Sequence, residues 1–112
     1  MPPPLSIDLD HLDLYVAGDK ALLDEILSIF EDQAAELVEK LDPSLPDEEW
    51  RDTVHKLKGS ARGLGAWALG DLCENAENLA ADANGNLHKR GQAFQEILSA
   101  LADVLESVKS LR

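Results

Sequence analysis

The chain is organised around residues 49–66, which read EWRDTVHKLKGSARGLGA. Taken as a helix that turns about 100° per residue, this stretch places its apolar side chains on a single face. That apolar stripe consists of Trp50, Val54, Leu57, Ala61 and Leu64. The opposite face carries Arg51, Asp52, His55, Lys58, Gly59 and Arg62. The pattern predicts a central amphipathic helix that buries its apolar stripe and exposes the imidazole of His55.

Gly59 departs from ordinary helix composition, because a glycine inside a helix costs about 1 kcal/mol relative to alanine. It follows His55 by four residues, the spacing at which helical side chains lie over one another. Any side chain at this position would cover the imidazole. Because residues that break a local rule often serve function, we interpret the glycine as keeping the ring accessible to a large partner.

The residues after His55 form a spaced motif, which reads His55-Lys56-Leu57-Lys58-Gly59-Ser60, then Leu64-Gly65-Ala66, and later Leu69, Cys73 and Glu77. This spacing resembles the histidine-containing phosphotransfer (Hpt) domain family. The resemblance implies that His55 accepts a phosphoryl group from the aspartate of a receiver domain and passes it to another receiver. It also implies that Glu77, at a position where the family often has Glu or Gln, is hydrogen-bonded to the histidine.

The residues around His55 suit this chemistry. A neutral imidazole is a nucleophile, and the nearby cations Lys58 and Arg62 are expected to disfavour the imidazolium form. The same cations would stabilise a phosphoryl group on the ring. A carboxylate that accepts a hydrogen bond from Nδ1–H would leave Nε2 free to attack. Counting back from the glycine-rich turn makes Glu74 as plausible as Glu77 for this role, although the resemblance favours Glu77.

Helical periodicity extends over most of the chain. The central helix is expected to end near Gly63, and further helices are predicted at residues 7–17, 20–41, 66–83 and 87–111. Short loops between long amphipathic helices predict an all-α fold, an antiparallel four-helix bundle with a short N-terminal cap helix. The three prolines in residues 1–6 predict a flexible arm, and residues 7–112 are long enough for one domain.

The helix at residues 20–41 has a wider apolar face than contact with one neighbour requires. Leu27 and Ile29 are among the residues that widen it. Contact with the first helix is one explanation, and a surface for a partner protein is the other. We take Leu27 and Ile29, together with Arg51 on the central helix, as candidate docking residues.

Composition narrows the possible partners and the cellular location. A net charge of −12 argues against nucleic acids and anionic membranes. No apolar run approaches the roughly 18 residues of a membrane span, and the start of the chain does not resemble a signal peptide, so we expect a cytoplasmic protein. The single cysteine excludes an intrachain disulfide. A monomer is the expected state.

The sequence contains no glycine-rich phosphate loop, so we expect a phosphocarrier that binds no ATP and no cofactor and is not a kinase. The resemblance places the required Mg²⁺ on the partner receiver domain, which belongs to a response regulator or a hybrid histidine kinase. The alternative function is a non-catalytic adaptor that docks receivers or kinases through the same face. A metal-binding bundle is the least supported, because the single Asp52-x-x-His55 pair has no second copy.

Overall fold

The computed structural model describes residues 6–79 and 86–112, and these residues contain five helices and no strand. The helices are α1 (Leu9–Val16), α2 (Lys20–Lys40), α3 (Asp47–Leu64), α4 (Trp67–Asn78) and α5 (Asn86–Leu111). Helices α2 to α5 form the bundle, with α3 between α2 and α4, and α1 closes one end. The prediction of an all-α, four-helix bundle with a short N-terminal cap helix is confirmed.

All five helices contribute to one hydrophobic core. The entire predicted stripe of α3 is buried, because its period matches the turn of the helix. The core side chains from the other helices include Leu12, Phe30, Leu69, Cys73, Ile97 and Val104. Burial of this stripe leaves the opposite face of α3 towards solvent, and that face carries the candidate site.

The inner face of α2 differs from the prediction at one candidate site residue. Leu27 is fully buried and packs in the core with Phe30 and Ala34, which lie three and seven residues further along the helix. The expectation that Leu27 forms part of a docking surface is therefore wrong. Helical spacing alone could not separate the two sides of a wide apolar face, whereas packing against α3 decides it.

Helix α3 ends later than predicted. Its last helical residue is Leu64, and Gly65, not Gly63, adopts the left-handed conformation that closes the helix, with a φ of 87°. The Gly65 N–H donates to the carbonyls of Ala61 and Arg62. Helix α4 begins two residues later, at Trp67. Helix α4 ends at Asn78. Residue 83, where its end was predicted, lies outside the described residues, as do residues 1–5 of the predicted arm at residues 1–6.

The cap helix α1 is attached to the turn between α3 and α4. Asp8, the N-cap of α1, accepts a hydrogen bond from the indole of Trp67 at 2.9 Å. The backbone N–H of Asp8 donates to the carbonyl of Gly65, also at 2.9 Å. The His11 ring packs edge-on against Trp67. These contacts anchor α1 to the turn that sets the register between α3 and α4.

Candidate functional site

His55 lies on the solvent face of α3, and 66% of its side chain is exposed. The neighbouring residues of the apolar stripe, Val54 and Leu57, are buried. The ring is nevertheless held in place, because Nδ1 lies 2.6 Å from Oε1 of Glu77 on α4. His55 therefore combines an accessible ring with a defined orientation.

Glu77 connects His55 to Lys58. Its second oxygen, Oε2, accepts a hydrogen bond from the Lys58 ammonium at 3.0 Å, and only 14% of the Lys58 side chain is exposed. Burial raises the pKa of Glu77, but the hydrogen bonds from Lys58 and His55 outweigh it, so this pKa lies below its ordinary value. An ionised carboxylate can only accept hydrogen bonds, so we assign the ring proton to Nδ1 and the lone pair to Nε2.

The geometry also decides between the two candidate carboxylates. Glu74 lies three residues before Glu77, nearer to the α3–α4 turn, and it accepts a hydrogen bond from Arg62 at 3.1 Å. Because α3 and α4 run antiparallel, the carboxylate that reaches His55 is the one further from the turn. Glu77 is therefore the partner of the histidine, and Glu74 is the partner of the arginine.

Arg62 is directed towards α4. Besides Glu74 it pairs with Asp71 at 3.7 Å, and its side chain crosses Gly70 so closely that a Cβ at Gly70 would lie 2.9 Å from the Arg62 Cγ. Its charge is thus shared between two carboxylates. The structure does not bring Arg62 into the group formed by His55, Lys58 and Glu77, so its role in stabilising a phosphoryl group stays a prediction.

Gly59 leaves open space one turn after His55. A Cβ built at Gly59 has no other atom within 4 Å. Between α2 and α3 this opening continues into a groove of about 350 Å³, which Gly59 and Ser60 line together with Gln33 of α2. The Ser60 hydroxyl donates to the Gln33 side chain at 2.9 Å across the groove. The surface one turn after His55 is therefore open, and a shallow groove lies beside it.

The surface beside the groove contains one predicted docking residue and one that sequence analysis missed. Ile29 of α2 is 49% exposed and lines the adjoining depression with Gly59 and Ser60. Lys56 is exposed in the groove, although the sequence motif alone indicates no docking role for it. Arg51 is also exposed, and among the described residues neither Arg51 nor Lys56 forms an ion pair. These cations are available to an acidic partner.

Two other features limit the chemistry near the site. Burial, reinforced by the nearby charge of Glu77, raises the pKa of the Cys73 thiol to about 12, so this thiol stays neutral and unreactive. Within residues 6–79 and 86–112, no three side chains of His, Cys, Asp or Glu are grouped so that they could hold a metal ion.

In the same ranges, every helix is too short or too polar to cross a membrane.

Comparison with known proteins places this chain in a family. A family model described as the Hpt domain matches residues 25–110, which is more than half of the chain. The chain belongs to the Hpt domain family. A search among curated proteins finds no match.

A solved structure supports the same family. The histidine phosphotransferase ShpA from Caulobacter crescentus, whose crystal structure is solved, is 37% identical in sequence to this Hpt protein. The two structures superimpose with a TM-score of 0.61. The similarity covers 96% of this chain and 99% of the ShpA chain. The family and this structural similarity together show that the chain is a histidine phosphotransfer protein of a phosphorelay.

Proposed function

We propose that His55 is the phosphoacceptor of this Hpt protein. The observation that carries the proposal is the contact of 2.6 Å between Nδ1 of the exposed ring and the Glu77 carboxylate, which leaves the lone pair on the outward nitrogen. Among the histidines, His88 on α5 is also exposed, but no described residue forms a hydrogen bond or ion pair with its ring. His55 alone combines access with orientation.

The transfer step requires no proton movement. The Nε2 lone pair attacks the phosphorus of an aspartyl phosphate, a P–N bond forms, and the P–O bond to the aspartate breaks, so that the carboxylate leaves with its electron pair. The ring becomes a cation that keeps its proton on Nδ1, and the Glu77 carboxylate offsets this charge. Attack on the phosphorus by the aspartate of a second receiver reverses the step.

Lys58 stabilises the transferred group. Lys58 follows His55 by three residues on α3, and its ammonium is held at Glu77. A change of side-chain rotamer is therefore enough to bring this ammonium to the phosphoryl oxygens. An ammonium beside phosphoryl oxygens forms charge-assisted hydrogen bonds. Gly59 leaves the space through which the phosphoryl donor enters.

The partners are receiver domains of response regulators or of a hybrid histidine kinase. Their acidic, Mg²⁺-binding pockets suit the exposed cations Arg51 and Lys56, and Ile29 offers an apolar contact beside the groove. The Mg²⁺ belongs to the receiver. The protein acts as a phosphocarrier, not as a kinase, and its monomeric state and cytoplasmic location stay predictions from the sequence.

The direct test mixes the purified protein with a receiver domain carrying labelled aspartyl phosphate. We expect acid-labile label to appear on the wild type and on His88→Gln, which removes the exposed histidine of α5, but not on His55→Gln. Full labelling of His55→Gln would overturn the assignment. A protein that binds the receiver and regulates it equally well with or without the His55 imidazole would be the adaptor instead.

A further inference from the structure

Trp50 ties α3 to the end of α4 that carries Glu77. Its side chain is fully buried, and its indole Nε1–H donates to the backbone carbonyl of Ala76 at 2.8 Å. Ala76 directly precedes Glu77, and α4 ends two residues after Ala76, at Asn78. The hydrogen bond therefore acts on the same helical turn as the carboxylate that holds His55.

The Trp50 hydrogen bond gives this turn a contact from outside its own helix. The last carbonyls of a helix have no partner in a following turn, so the end of a helix is less constrained than its middle. Here the N–H of Leu79 bonds to the carbonyls of Ala76 and Glu77, which closes the helix locally. The Trp50 hydrogen bond connects this closing turn to another helix, and a buried indole N–H has no water to replace the carbonyl if the turn moves.

The Trp50 ring is itself held from the other side. The guanidinium carbon of Arg90 on α5 lies 5.2 Å from the centre of the ring, a cation–π distance. The same guanidinium donates to the carbonyl of Leu45 at 3.0 Å and pairs with Asp47 at the start of α3. The indole is thus fixed on one face by a buried arginine, so its N–H has a defined direction towards Ala76.

We propose that Trp50 is a positioning residue for phosphotransfer. By donating to the carbonyl of Ala76, the indole N–H keeps Glu77 at the same axial level as His55. Glu77 in turn keeps the ring proton on Nδ1 and the lone pair on the outward nitrogen. The inference rests on the proposed role of His55 in the transfer. It adds a contribution from a buried residue of the apolar stripe whose periodicity alone indicates only core packing.

The test compares two tryptophans that each donate an indole hydrogen bond. Trp50→Phe removes the donor beside Glu77, and Trp67→Phe removes the donor to Asp8 at the opposite end of the α3–α4 pair. We expect ¹⁵N NMR of Trp50→Phe at neutral pH to show loss of the Nδ1–H tautomer of His55 in favour of Nε2–H. We expect transfer from a phosphorylated receiver to slow by roughly three- to tenfold, since small misplacements of reacting groups reduce rates strongly. We expect Trp67→Phe to show the His55 tautomer and the transfer rate of the wild type.

A second variant covers the case in which Trp50→Phe does not fold. In the Trp67→Phe background, replacement of the remaining tryptophan by benzothienylalanine exchanges the indole N–H for sulfur and preserves the ring shape. An unchanged His55 tautomer in whichever variant folds overturns the proposal, and so does an equal change in Trp67→Phe. Failure of the wild type to accept phosphate would instead overturn the role of His55 and leave the NMR result on positioning interpretable.

Discussion

His55 is open to a partner because the residue one turn further along α3 has no side chain. The space above Gly59 is free of other atoms, and its backbone is helical. A larger residue would therefore fit the fold without strain, and the glycine has no structural benefit that offsets its low helix propensity. At the scale of single residues, access to the ring and stability of the helix are opposed.

Substitution of Gly59 separates these two properties. We expect Gly59→Leu to raise the free energy of unfolding by roughly 0.5–1 kcal/mol, because leucine favours the helix, and to block phosphotransfer, because its side chain covers the imidazole. Gly91→Leu on α5 is the matched control, since a Cβ there also meets no atom within 4 Å. Denaturant unfolding and receiver-dependent labelling measure the two effects. Transfer at the wild-type rate in Gly59→Leu would refute the access argument.

Glu77 makes the stability of the protein depend on pH. Its pKa in the folded state lies below the ordinary value of 4.5, as the hydrogen bonds from Lys58 and His55 outweigh the opposing effect of burial. Because the pKa is lowered in the folded state, the ionised carboxylate stabilises the fold at pH values above the ordinary pKa. This contribution disappears as the pH falls through the folded-state pKa. The contribution is therefore complete at neutral pH and absent in strong acid.

Glu77→Gln, which is neutral at every pH, measures this contribution. We expect it to lower the free energy of unfolding at neutral pH and to match the wild type more closely as the pH falls well below 4.5. Chemical denaturation across that range gives the difference. Glu74→Gln is the control, and its effect should be smaller because exposed ion pairs such as Glu74–Arg62 contribute little. A difference between wild type and Glu77→Gln that does not change with pH would contradict the assignment.

At the scale of the elements, the turn between α3 and α4 sets the axial register of the two helices. Gly65 has a positive φ, and a Cβ there would approach the Asp8 carbonyl oxygen to 3.0 Å and the His11 ring to 3.2 Å. The turn thus needs a glycine both for its backbone conformation and for its contact with α1. Gly18, between α1 and α2, has a similar φ of 83° but no atom near its missing Cβ.

Substitutions at these two glycines, when compared, measure how much the contact with the cap helix α1 contributes to the free energy of unfolding. We expect Gly18→Ala to lower the free energy of unfolding by about 1 kcal/mol, through backbone strain alone. Gly65→Ala should lower it by about 2–3 kcal/mol, because it combines the same strain with displacement of α1. Thermal and denaturant unfolding provide the values. Equal losses in the two variants would show that α1 adjusts to the added methyl group at no cost.

At the scale of the whole molecule, charge is distributed unevenly. The chain has a net charge of −12, yet Arg51 and Lys56 stand on the site face without an ion pair among the described residues. An acidic partner would be repelled by the net charge of the molecule at long range but would meet Arg51 and Lys56 at this face. Salt screens exposed charges over about 10 Å at 0.1 M, so this local attraction should be sensitive to ionic strength.

The double variant Arg51→Gln/Lys56→Gln tests this arrangement. We expect transfer from a phosphorylated receiver to slow by roughly three- to tenfold at low ionic strength, and this difference to shrink as salt is added. Lys20→Gln/Lys89→Gln removes two exposed cations from other helices, neither of which forms an ion pair with a described residue, and should change the rate little. Stopped-flow or quenched labelling at several salt concentrations supplies the rates. Equal effects of the two double variants would attribute the loss to net charge, not to docking at this face.

The sequence by itself determined the local features of this protein. The apolar period of residues 49–66 correctly indicates which side chains of α3 are buried, and therefore that His55 faces solvent, because the face of a helix follows from spacing along one chain. The motif around His55 and Gly59 indicated the family, which the Hpt domain match confirms. Most helix boundaries followed from glycines, prolines and capping residues.

Only the tertiary structure decided which residues meet across helices. Glu77 and Glu74 were equally plausible from counting, and the choice depends on the axial height of α4 against α3, which the turn at Gly65 and the packing of distant residues set together. The same holds for Leu27, which faces the core, and for Trp50, whose indole reaches the carbonyl beside Glu77. Spacing along the chain contains no information about register between helices, because register is a property of two surfaces packed together.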